Sequence, residues 1–170
     1  MLTRRAAAVR SAWPALVGAA ACCWALLAGG VCHAAAPSTF GTVVGSALLC
    51  MDDIDNHYFY AYLTTAFGPA YKHEGGAYWF KAPANLWNTT ISEVFVSDDT
   101  SPLKFIGAVA DTTPDKVADA ILAASGIRYQ TKDASKFPMR TSRLGSTIVF
   151  FQKKAKVYCD KFKPLPPPPQ

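Results

Sequence analysis

The sequence predicts an α+β domain, a mostly antiparallel sheet with two helices on one face. Two segments repeat apolar residues at helical spacing, each opening after a residue with capping chemistry and closing at a glycine. Between and after them lie short runs of β-branched, aromatic and small apolar residues, separated by Gly, Asp and Pro turn residues.

The first predicted element is a buried strand from Thr42 to Cys50, a run of mostly small and aliphatic residues. Asp55 follows as an N-cap, because its side-chain oxygen can accept the free amides of the next turn, with Ile54 placed to pack on Phe59 as a staple. The stripe Tyr58, Phe59, Tyr62, Leu63, Ala66 and Phe67 predicts the first helix, stopped by Gly68 and Pro69. After the Gly75-Gly76 turn come strands at Ala77 to Ala82, Ile91 to Ser97 and Leu103 to Ala110. The second helix starts with Thr113 as cap and Pro114 at its first position, and Val117, Ala118, Ile121 and Leu122 form its stripe before Gly126. Strands at Ile127 to Thr131, Thr147 to Gln152 and Ala155 to Phe162 complete the reading. A shift of 58 residues lays Asp53 on Asp111, Asp55 on Thr113, Gly68 on Gly126 and Tyr71 on Tyr129. The chain therefore reads as two pseudo-repeated strand-helix-strand-strand halves.

Residues 1–34 read as a cleaved signal peptide: Arg4, Arg5 and Arg10 precede an apolar run from Trp13 to Val31 that ends in small residues. The run approaches the length of a membrane anchor, but Pro14, Gly18, Gly29 and Gly30 and the Ala-rich exit favour cleavage. Residues 37–163 are expected to form one α+β domain, and 164–170 an extended proline-rich tail. The expected location is the periplasm or the exterior, with no stable membrane span after processing.

Export changes the charge and cysteine arguments. Seventeen basic residues oppose twelve acidic ones for a net +5, but three of the bases leave with the signal and the mature charge falls to +2. Nucleic acid is therefore not an expected partner. The basic cluster of Lys153, Lys154, Lys156, Lys161 and Lys163 reads as a solvated hairpin tip and strand face. Cys22, Cys23 and Cys32 also leave, so Cys50 and Cys159 remain to form one disulfide between the first strand and the last.

Catalytic signatures are absent. Asp52, Asp53 and Asp55 beside Asn56 and His57 offer hard oxygen ligands, but an EF-hand loop starting at Asp53 needs Gly and Glu where Tyr58 and Thr64 stand. Capping accounts for these carboxylates. His73-Glu74 precedes two glycines and reads as a polar loop, and Ser101-Pro102-Leu103-Lys104 leads into a strand rather than opening a helix. No cofactor or metal is expected. The enzymatic alternative, an envelope hydrolase or metal-dependent enzyme, has only Asp53, Asp55 and His57 to work with.

The aromatic distribution points to binding. Ten of the nineteen mature aromatics fall between Tyr58 and Trp87, more than one helix stripe and one strand face can bury. Tyr60, Trp79 and Trp87 are the expected partner-binding residues, since Tyr and Trp anchor interfaces at low rotamer cost. Phe67-Gly68-Pro69 followed by Ala77-Tyr78-Trp79-Phe80 resembles the SmpA/OmlA lipoproteins and the tandem-repeat β-lactamase inhibitor proteins. The resemblance implies protein binding through an aromatic-bearing sheet. It covers one short segment, and the lipid-bearing cysteine is missing. The reading is an exported non-enzymatic domain that binds a protein partner in the cell envelope, as an inhibitor or immunity-type protein, with an accessory subunit of a secretion or pilus assembly as a further alternative.

Overall fold

In the computed structural model, which describes residues 35–163, the first element is helical rather than extended. It is π-helical over Gly41–Gly45 and α-helical over Ser46–Leu48, together α1. The run has strand composition, but its buried residues Phe40, Val44, Ala47 and Leu48 recur every three to four positions, which a strand cannot turn to one side. Cys50 N–H donates to Ala47 C=O at 3.0 Å and Met51 N–H to Ser46 C=O at 3.0 Å, the bonding of a Schellman cap. Cys50 takes the left-handed position of that cap, φ 59°, where glycine is usual. A disulfide joins it to Cys159 with the Cα atoms 5.3 Å apart. The staple thus ties the first helix, not a first strand, to the last strand.

The second helix, α2 (Asn56–Phe67), is capped as the sequence indicates: Asp55 Oδ1 accepts from the His57 and Tyr58 amides at 3.0 and 3.1 Å. Phe59 and Leu63 are buried, whereas Tyr58, read as part of the apolar stripe, is 52% exposed. Gly68 ends the helix at φ 85°. Helix α3 (Pro114–Ser125) has Pro114 at its first turn and Gly126 left-handed after it. Thr113 holds the N-cap position without a side-chain capping bond.

Among the described residues, eight strands form one antiparallel sheet: β1 (Lys72–Glu74), β2 (Ala77–Leu86), β3 (Thr89–Ser97), β4 (Leu103–Ala110), β5 (Tyr129–Thr131), β6 (Arg140–Ser142), β7 (Thr147–Phe151) and β8 (Lys154–Phe162). Their order is β1-β2-β3-β4-β8-β7-β6-β5. Two short strands escape the sequence pattern: β1, which includes the His73-Glu74 pair read as loop, and β6. Three residues each are too few to display a period. Pro83 sits where the β2–β3 register shifts, between Lys81 and Ala84, a bulge that tolerates its missing N–H.

Each half is a helix followed by a four-strand meander, α2-β1-β2-β3-β4 and α3-β5-β6-β7-β8, meeting along β4 and β8. This replaces the strand-helix-strand-strand order read from the sequence, because the strand at Thr42 to Cys50 does not exist. The two helices are twelve residues each and lie 58 positions apart. Helix α2 packs on β2, β3 and β4, and α3 on β7 and β8. The core lies between helices and sheet, filled by Leu48, Leu63, Phe80, Ile91, Ile106, Val117, Ile121 and Ile148. Among the described residues, no helix is long and apolar enough to cross a membrane. The expected signal peptide and proline-rich tail lie outside the described residues.

Candidate binding face

Strand alternation sends every second side chain to the face away from the helices. Register makes that face readable row by row. One row runs Lys72, Trp79, Phe95, Gly107, Tyr158, Thr147 across six strands, and the next runs Lys81, Glu93, Val109, Lys156, Val149. Ala77, Trp79, Phe95 and Val109 form a second apolar cluster there, with Phe105, Phe151 and Tyr158 packed against it. Among the described residues, no helical residue belongs to it.

Gly107 sets the geometry of this face. A Cβ at that position would lie 1.9 Å from Phe95 Cζ, so the Phe95 ring occupies the space a side chain would take. Lying over the glycine, the ring stacks on Trp79 with centroids 4.5 Å apart and planes at 27°. Lysine side chains then cover the aromatic pair: Lys72 Nζ is 4.4 Å and Lys156 Nζ 5.0 Å from the Trp79 ring centre. Their aliphatic stems hide apolar surface, so Trp79 is only 8% exposed.

Most charges on the face are neutralised by neighbours. Lys72 pairs with Glu74 at 2.7 Å, Lys81 with Glu93, and Lys154 with Asp111. Burial works to raise the Glu93 carboxyl, but donation from Lys81 and from the Tyr71 hydroxyl at 3.0 Å holds it below its usual value. Burial, and then the nearby Lys72 charge, pushes the Lys156 ammonium below its ordinary value.

The three aromatics expected to bind a partner do not converge. Trp79 lies on the helix-free face, buried under the two lysines. Tyr60 is on α2, 37% exposed, with its ring 4.6 Å from Tyr78. Trp87 stands at the β2–β3 turn, beside a groove of about 610 Å³ bounded by Thr89, Asp111, Thr112 and Lys116. Tyr60 and Trp87 are therefore no part of the sheet face.

The acidic cluster is likewise dispersed in role. Asp55 caps α2, Asp53 meets Lys161 at 3.1 Å, and His57 meets Asp99 at 3.4 Å with both side chains more than two-thirds exposed. Among the described residues, no three His, Cys, Asp or Glu side chains stand close enough to hold a metal. His73 acquires a partner the sequence does not reveal: its Nε2 lies 2.6 Å from the buried Asp98 carboxylate, and its ring stacks on Tyr78 at 4.3 Å. Ser101 Oγ accepts from the Leu103 amide, which leaves it a turn residue.

Of the basic cluster read as solvated, Lys154, Lys161 and Lys163 do pair with surface oxygens, but Lys156 is half-buried among rings. Sequence reasoning missed Lys156, Phe95, Phe105 and Phe151 as members of the face. The available signal was alternation in β3, β4, β7 and β8, where Phe95, Phe105, Phe151 and Tyr158 fall on the face opposite the buried aliphatic residues. No family model, curated protein or solved structure matches this chain.

Proposed function

We propose that the chain is an exported, non-enzymatic protein-binding domain whose contact surface is the helix-free face of the sheet. One observation carries this reading. Aromatic rings are gathered on a sheet face that no helix of the described residues covers, with Phe105, Phe151 and Tyr158 half-buried at its surface. Tyr and Phe in this setting provide large contact area at low rotamer cost. Export is supported by the Cys50–Cys159 bond, since disulfides persist in oxidising compartments, and by the signal-like first 34 residues. An inhibitor or immunity-type role is the form of binding protein that a small stapled domain suits.

The test uses the mature protein as bait on envelope and secreted extracts of its host. A partner retained by wild type, kept by Tyr60→Ala and lost by the double variant Phe151→Ser/Tyr158→Ser supports the reading. A partner that ignores the double variant moves the contact to another surface, and no partner at micromolar bait rejects the reading.

A further inference from the structure

We infer that the sheet face carries a seat for a single carboxylate, formed by Lys156 with Lys72 beside it and rimmed by Trp79, Phe95 and Phe151, which a protein partner fills with an aspartate or glutamate side chain. The partner's being a protein rests on the function proposed above; the seat itself does not.

Among the described residues, Lys156 lacks an acidic partner. Lys72, Lys81 and Lys154 on this face each meet a carboxylate, whereas none lies within 4.0 Å of the Lys156 ammonium among the described residues. Its Nζ faces rings instead: Phe151 at 4.2 Å and Trp79 and Phe95 at 5.0 Å each. Ring quadrupoles attract a cation but leave its three N–H donors without an acceptor oxygen. Lys72 makes the deficit larger, because two ammonium groups crowd one indole ring. Trp79 Nε1 adds another buried donor with no acceptor. The unmet demand of this cluster is therefore for an anionic oxygen.

Stoichiometry and surroundings narrow the anion. One ammonium is uncompensated, so one negative charge balances it. Glu74 and Glu93 stand close enough to Lys72 and Lys81 to oppose a multiply charged group such as phosphate. The rings favour a small anion with an apolar stem, which an acidic side chain in an apolar interface supplies. Once the partner excludes water, the pair gains strength from the lower dielectric, as at desolvated interface hot spots.

Lys156→Met is the informative variant, because it keeps the stem over the rings and removes the charge. We expect the free variant to melt at or above the wild-type temperature; a clear drop overturns the inference, since the ammonium would then already be satisfied. Acetate supplies the carboxylate alone. In ¹⁵N spectra of the lysine ammonium groups, the resonance missing from Lys156→Met should shift saturably with acetate while exposed Lys153 drifts linearly, and identical behaviour of the two overturns the seat. Against a captured partner, Lys156→Met should raise Kd about thirtyfold or more, the effect of leaving a buried charge unpaired, with Lys156→Arg recovering part. A partner lost by Phe151→Ser/Tyr158→Ser yet bound unchanged by Lys156→Met overturns the carboxylate seat and leaves the sheet-face reading standing. A partner insensitive to all these variants overturns both.

Discussion

Gly107 shows how much one missing side chain can organise. The Phe95 ring lies in its place and thereby stacks on Trp79. Gly107→Ala must drive the ring off the strand, an overpacking of about 1–3 kcal/mol, and should shift Trp79 fluorescence as the stack opens. Combining it with Phe95→Ala should cost less than the sum of the two single changes, since they share one contact. Asp98 is the other residue with leverage. Its carboxyl is held down to about 2, first by His73 and then by the Thr100 hydroxyl at 2.7 Å. A carboxyl depressed in the folded state stabilises fully above its unfolded value of about 3.8 and loses that contribution as pH falls toward 2. Asp98→Asn should therefore cost about 1–3 kcal/mol at neutral pH and flatten the decline of stability between about pH 4 and pH 2, read from urea melts across that range. At this scale Asp55 was legible, because capping is a local bond, whereas His73 and Asp98 meet only after β1 folds beside the β3–β4 loop.

Among the elements, caps and stops were readable and periods less so. Both long helices start and end where Asp55, Pro114, Gly68 and Gly126 place them. Helix α1 reads as a strand in the sequence because small and β-branched residues fit either period over nine positions; only the burial of Phe40, Val44, Ala47 and Leu48, with Gly41–Gly45 packed on β2 and Ser46–Leu48 on β4 and β8, selects the helix. Cys50 holds that helix end in a left-handed cap and ties it to β8. Replacing both cysteines by alanine should lower stability by up to about 4–5 kcal/mol, the chain-entropy value for a loop of this length, and calorimetry of the oxidised and doubly substituted proteins measures it. The β7–β8 turn offers the opposite change. Gln152 and Lys153 both have positive φ, 47° and 74°, in a two-residue connection that favours Asn-Gly. Gln152→Asn/Lys153→Gly should raise the urea midpoint by about 0.5–1 kcal/mol equivalent with the m-value unchanged.

At the scale of the whole described chain, two helix-plus-meander halves, preceded by α1, are completed by one shared seam. Along it Ile106, Ala108 and Ala110 of β4 face Cys159, Val157 and Ala155 of β8, all buried. Residues 35–112 alone would expose that edge and lack the disulfide partner, so this half should not fold as a monomer; collapsed amide dispersion in its ¹H–¹⁵N spectrum is the expected result, and a dispersed spectrum would show a self-sufficient half.

Legible in the residues alone were the fold class, the Asp55 cap, the starts and stops of two helices, most of the strands and the pairing of the only two cysteines left after the expected leader. Each of these rests on neighbours a few residues apart or on simple counting. The tertiary structure alone decided which side chains share a surface: that Tyr60, Trp79 and Trp87 point to three different places, and that Lys156 crosses from β8 to rings on β2 and β3. Alternation tells that successive side chains of a strand face opposite ways. It does not tell which strand lies alongside, and a binding face is made of rows that run across strands.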